Sequence, residues 1–92
     1  MSWGTVKEVE RRNRIMVAVA AWAYENSSDV IMTDSQFDEL AKKIDLSINT
    51  GNKMLDNFFR NEFEPHTGQW VHKHPEQAKL KALCKRIIES KS

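Results

Sequence analysis

Thr33-Asp34-Ser35-Gln36-Phe37-Asp38-Glu39-Leu40-Ala41-Lys42-Lys43-Ile44 decides the fold class of this chain. A threonine followed three residues later by glutamine has the spacing of a capping box, in which the hydroxyl accepts from the backbone amide at the fourth position and the amide side chain reaches back. Phe37, Leu40, Ala41 and Ile44 then recur at i, i+3, i+4 and i+7, which places one apolar stripe along an α-helix and fits no alternating strand. The spacing predicts a helix over about 33–44.

Working outward, the same periodicity continues on both sides. Toward the N-terminus, Thr5-Val6-Lys7-Glu8 repeats the capping-box spacing, and a helix is expected over about 5–27. Its first half is polar (Arg11, Asn13, Arg14), while Ile15, Val19 and Trp22, flanked by Met16, Ala20, Ala23 and Tyr24, form its core half. Asn26-Ser27-Ser28-Asp29 is turn chemistry, and Val30-Ile31-Met32 crosses to the next helix as an extended connector. Toward the C-terminus, Asn49-Thr50-Gly51 offers a stop and a new start. Met54, Leu55, Phe58 and Phe59 predict a helix over about 51–61. Periodicity is lost across 62–74, where Pro65, Thr67-Gly68 and the pre-proline His74 dictate a structured, aromatic and histidine-rich loop with Trp70 and Val71 as core plugs. Pro75 suits the first position of a last helix over about 75–89, whose stripe is Leu80, Leu83, Cys84, Ile87 and Ile88. The expectation is one all-α domain, an irregular bundle of about four helices.

Composition bounds what such a domain can do. Ninety-two residues, 40% hydrophobic and 29% charged, suit one globular core. Net charge is +1, with 6 basic against 8 acidic residues in Met1–Leu46 and 8 against 5 in Ser47–Ser92, a mild polarity far short of a strong nucleic-acid field. The apolar run Ile15–Tyr24 is half the ~20 residues a bilayer crossing needs, so no membrane association is expected. With the lone Cys84 and no secretory opening, the expected location is the cytoplasm.

Tyr24-Glu25, followed by Asp34-Ser35-Gln36-Phe37-Asp38-Glu39-Leu40, resembles the small N-terminal helical subdomain of NAD-dependent DNA ligases. That family reads Tyr followed by His or Tyr, a polar turn, an extended connector, then Asp-x-x-Tyr-Asp-x-Leu; the interval from Tyr24 to Asp34 fits without insertion. The resemblance covers about 20 of the 92 residues. It implies that Tyr24 and Phe37 sandwich a nicotinamide ring, one on each face, that Asp34 and Asp38 hold its ribose and amide, and that NMN or NAD is the ligand, with no resident cofactor otherwise expected. Phe37 stands where the family has Tyr, and Glu25 where it has His or Tyr, which brings a negative charge toward the ligand phosphate. The residues by themselves also permit Tyr24 and Phe37 to be core aromatics, with Asp34 and Asp38 as ordinary first-turn acids. Ligation requires a lysine nucleophile in a Lys-x-Asp-Gly setting, metal-binding carboxylates and a nucleotide pocket; none is in the sequence, and the expectation is a binding protein with no catalytic residues. More broadly, the chain, including Thr67-Gly68-Gln69-Trp70-Val71-His72-Lys73-His74-Pro75-Glu76, resembles short uncharacterised proteins of tailed bacteriophages. That implies a viral accessory factor acting in the host cytoplasm, on a host protein or on a defence system such as CRISPR.

Two further surfaces are candidates. Trp70 with His72, Lys73 and His74, continued by Lys79, Lys81, Lys85 and Arg86, would supply base stacking and phosphate contacts for weak nucleic-acid binding, and the Arg11, Arg12, Arg14 cluster could extend it. The bland alternative has Trp70 inside and the lysines solvated. Trp3 or Trp70 could instead anchor a protein partner. His66, His72, His74 and Cys84 match no zinc spacing, and no metal or Cys–His catalysis is expected.

Overall fold

A computed structural model describes residues 5–27, 31–65 and 67–91, the side chain of Lys91 excepted. The chain is all-α. It runs α1 (Val6–Asn26), α2 (Asp34–Lys43), α3 (Lys53–Glu62), a 3-10 turn (Gln69–Lys73) and α4 (Gln77–Lys91). Both anticipated start signals are used. Thr5 Oγ1 accepts from the Glu8 amide at 3.2 Å. At Thr33 the full capping box closes, with Gln36 N donating to Thr33 Oγ1 at 3.1 Å and Thr33 N to Gln36 Oε1 at 2.9 Å. Trp3, the Ser28–Val30 part of the turn and connector, and His66 lie outside the described residues.

Two helix starts differ from expectation. Gly51 does not open α3: it adopts φ +92°, a left-handed conformation natural only to glycine, and Asn52 becomes the cap by accepting from the Leu55 amide. Pro75 is not the first residue of α4. It sits in a turn because the Gln77 side chain donates back to the carbonyls of Val71 and His74, at 2.6 and 2.9 Å, so the chain first closes the 3-10 turn and only then enters the helix.

α1 is the central element and packs against α2, α4 and the 3-10 turn. Its alanines make this possible. Val17, Ala18, Val19, Ala20, Ala21 and Ala23 are buried around its whole circumference, whereas an Ile15/Val19/Trp22 stripe was expected and Ile15 is 37% exposed. Small side chains let neighbours approach on every side: a Cβ on Gly68 would stand 3.3 Å from Ala21 Cβ. Phe58, Phe59, Phe63, Trp70 and His74 form an aromatic cluster with ring centroids 5.0 to 6.5 Å apart, and Trp70 Nε1 donates to Thr67 O at 2.7 Å. Among the described residues no helix is long and apolar enough to cross a membrane.

The polar first half of α1 is a second departure from expectation. Glu10 and Arg14 are buried, 3% and 4% exposed. Arg14 Nε donates to Glu10 Oε2 at 2.7 Å, Nη1 to Asp56 Oδ1 at 2.8 Å, and Nη2 to the carbonyls of Asp45 and Ile48 at 2.8 and 3.0 Å. Glu10 accepts from the Asp45 amide, and Asp56 accepts from the amide and hydroxyl of Thr50. The guanidinium carbon also lies 5.5 Å from the Phe59 ring centre. Arg14 is therefore a structural tie among α1, α3 and the 44–52 loop, and the arginine cluster expected on the surface does not exist as such.

Removing the guanidinium would strand two buried carboxylates. Arg14→Met is expected to lower unfolding free energy by about 3–5 kcal/mol, much of what a domain this size has; a loss under about 1 kcal/mol in urea denaturation would show that the loop is held by other means. Acid acts on the same region. Burial opposes charge on Asp56, but the Thr50 hydrogen bonds and the Arg14 and Arg60 charges prevail and hold its carboxyl below the usual range. Burial lowers the His74 pKa, against a weaker upward pull from Glu76. Both depressed values mean stability present above the unfolded pKa and lost as pH falls through the folded one. The urea midpoint should decline first below about pH 6.5 and again below about pH 4. The second decline should be shallower in Asp56→Asn.

Candidate ligand-binding groove

The end of α1, the start of α2 and the loop before the 3-10 turn meet around an open groove of about 530 Å³, lined by Tyr24, Glu25, Asp34, Phe37, Asp38, Pro65, Thr67 and Gly68. All five residues singled out from the sequence are in it. Tyr24 stands in the last turn of α1, and the capping box at Thr33 sets the phase of α2 so that Asp34, Phe37 and Asp38 face the same space. The Tyr24 hydroxyl is shared between Met32 O and Asp34 Oδ1, both at 2.9 Å, and so fastens the two helices. Burial, then the hydrogen bond and charge of Asp34, raise the Tyr24 pKa, which keeps the phenol protonated as a donor.

The two rings are half-buried and meet edge to face, with centroids 5.6 Å apart and planes at 85°. A flat ligand held between them would need parallel planes roughly 7 Å apart, two ordinary contact distances. At 85° the pair leaves no such slot, and the groove beside it is walled by Pro65, Thr67 and Gly68. That wall was read from the sequence only as turn chemistry. Asp38 pairs with Lys42 at 2.9 Å on the solvent side.

Glu25 meets His72 Nε2 at 2.8 Å, and Lys73 pairs with Glu62 at 3.2 Å. These residues line a neighbouring depression of about 480 Å³, with Glu64, Thr67, Gln69 and Trp70, which shares Glu25 and Thr67 with the groove. The two depressions adjoin at Glu25 and Thr67, so the aromatic end borders the one that holds His72 and Lys73. The negative charge that Glu25 was expected to bring toward a phosphate is thus offset when His72 is protonated.

No protein-family model, curated protein or solved structure matches the chain.

The other expected surfaces are rearranged. Trp70 is 5% exposed, enclosed by Phe58, Phe59 and Phe63, and His74 is 6% exposed. Neither ring is available to stack on a base or anchor a partner, because both are needed to fill the space beside α3. His72, Lys73, Lys79, Lys81, Lys85 and Arg86 remain exposed, but without an aromatic platform among them. Cys84 is 1% exposed in the core. Among the described residues, no three His, Cys, Asp or Glu side chains converge as a metal site.

The hydroxyl tie makes one outcome specific. Tyr24→Phe is expected to keep the ring pair while freeing the start of α2, costing about 1 kcal/mol and raising amide exchange at 33–38; unchanged exchange there would show that the capping box alone positions Phe37.

Proposed function

We propose that this chain is a non-catalytic binding protein whose groove takes a pyridinium nucleotide, NMN or oxidised NAD, as the likeness to the ligase nicotinamide-binding subdomain implies. The observation that carries the reading is the convergence of Tyr24, Phe37, Glu25, Asp34 and Asp38, from two helices and across a turn, on one open groove. Three carboxylates around a ring pair favour a cationic aromatic ring, by attraction to the ring faces and by charge. Asp34 and Asp38 accept from ribose hydroxyls or the carboxamide, and the phosphate reaches His72 and Lys73 in the adjoining depression by displacing their pairs with Glu25 and Glu62. In this reading the chain serves as an accessory factor, phage-encoded if the broader likeness holds.

Amide and side-chain shifts followed during titration test this. NMN and oxidised NAD should perturb residues 24–25, 34–38 and 65–68, and reduced NAD, whose ring carries no charge, should bind more weakly. Phe37→Ala should reduce affinity about tenfold by removing one stacking face. No perturbation there up to millimolar nucleotide, or equal affinity in Phe37→Ala, overturns the proposal.

A second reading, an interaction factor that acts on a host protein, is favoured by Val6, Val9 and Met54, which are 71%, 43% and 51% exposed. Under it, Val6→Asp together with Val9→Asp abolishes recovery of a specific host protein in a pull-down; recovery unaffected by these changes argues against this surface.

A further inference from the structure

A hollow more enclosed than the groove lies away from it, toward the other end of α1. It has a volume of about 240 Å³. Its floor is Phe59, Leu80, His74 and the buried Arg14, and its walls are Ile15, Leu55 and Leu83. Around the opening stand Arg11, Gly51, Asn52, Glu76 and Lys79. An engineered apolar cavity of ~150 Å³ holds benzene, with its six heavy atoms, so this one has room for about ten.

The opening carries an unbalanced positive charge. A Cβ built on Gly51 would lie 3.3 Å from Lys7 Nζ and 3.4 Å from Arg11 Nη2, so two cations one helical turn apart converge over one glycine. Arg11 donates to Thr50 O, and neither Lys7 nor Arg11 has a carboxylate partner among the described residues. Like charges so placed repel, and the N-terminus of α3 beside Asn52 adds positive potential to the same spot. The one acid on the rim, Glu76, is 3.6 Å from Lys79. Glu10 and Asp56 are committed to Arg14.

The floor holds a donor. The Glu76 amide donates to His74 Nδ1 at 3.0 Å, so the neutral ring carries its proton on Nε2. His74 is 6% exposed and lines the hollow.

We infer that this hollow is a second ligand site, for a small monocarboxylate of about ten heavy atoms whose apolar body fills the space between Ile15, Leu55, Phe59 and Leu83 while its carboxylate sits over Gly51 between Lys7 and Arg11. The ligand supplies the anion that the two cations lack, and its body replaces empty volume with contacts. Gly51 is required because its backbone conformation forbids a side chain and because only a bare residue lets Lys7 and Arg11 close in at this point of the rim.

Octanoate and 3-phenylpropanoate, each titrated against the full chain while amide and methyl shifts are followed, test the site; octan-1-ol and acetate are the controls. Saturable shifts at Ile15, Gly51, Leu55, His74 and Leu83 are expected for both carboxylates, with affinity at least about tenfold above that of octan-1-ol, and no response to acetate. Lys7→Gln with Arg11→Gln, both exposed, should remove that preference over the alcohol while the amide spectrum of the core stays that of the folded chain. Leu83→Trp should block binding by filling the hollow. If that variant fails to fold, the charge variant still decides. No shift with either carboxylate up to 10-fold above about millimolar concentration overturns the inference. So does equal binding of the alcohol, which would leave an apolar hollow without an anion reader, and so does a response to acetate matching that to octanoate. Saturating NMN should leave these shifts unchanged, which keeps the outcome separate from that of the groove.

Discussion

The guanidinium of Arg14 is the constraint on which the remaining structure depends. It reaches from α1 to two carboxylates and two carbonyls, and through them closes the 44–52 loop over the start of α3. An ion buried in this way loses several kcal/mol of hydration, recovered only because its partners are placed for its planar fork. What the network confers is a single arrangement: Glu10 holds the Asp45 amide, Asp56 holds Thr50, and Gly51 is thereby turned toward Lys7 and Arg11. Lysine in place of Arg14 could not make the same contacts from one point charge.

The alanine-rich middle of α1 complements this tie. Because Ala18, Ala20, Ala21 and Ala23 project so little, α2, α4 and the loop at Gly68 all reach the helix backbone closely. The helix is buried at its centre and accessible near its ends. The two concavities lie there, roughly 15–20 Å apart along its axis. One is acidic and aromatic, at Tyr24 and Glu25; the other is apolar with a basic rim, at Arg11 and Ile15.

Charge at these ends runs against local helix preference. Lys7 lies in the first turn, where the macrodipole favours the anion that Glu8 provides, and the last turn of α1 holds Glu25 and no basic residue. Each such placement costs a few tenths of a kcal/mol. Departures of this kind concentrate where side chains serve a ligand more than the helix. The two concavities thus differ in the sign of the charge beside them, acidic at the Tyr24 end and basic at the Arg11 end.

The helices, their order and most of the groove were legible in the sequence because they follow from local rules. Apolar period, the hydroxyl cap at Thr5, the capping box at Thr33, and the interval from Tyr24 to Asp34 act over a few residues, and a helix phase once set determines which side chains share a face. Tertiary structure alone decided the fate of Arg14 and His74, whose chemistry permits either solvent or core, whereas Trp70 fills the core as its loop position led one to expect. Arg14 went inside because Asp56, 42 positions away, could meet it. Trp70 went inside because Phe58, Phe59 and Phe63 left a space beside α3 that its ring fills. The hollow beneath Gly51 had no trace in the sequence, since a void is a property of how several helices fail to fill space between them, and no single stretch of chain encodes it.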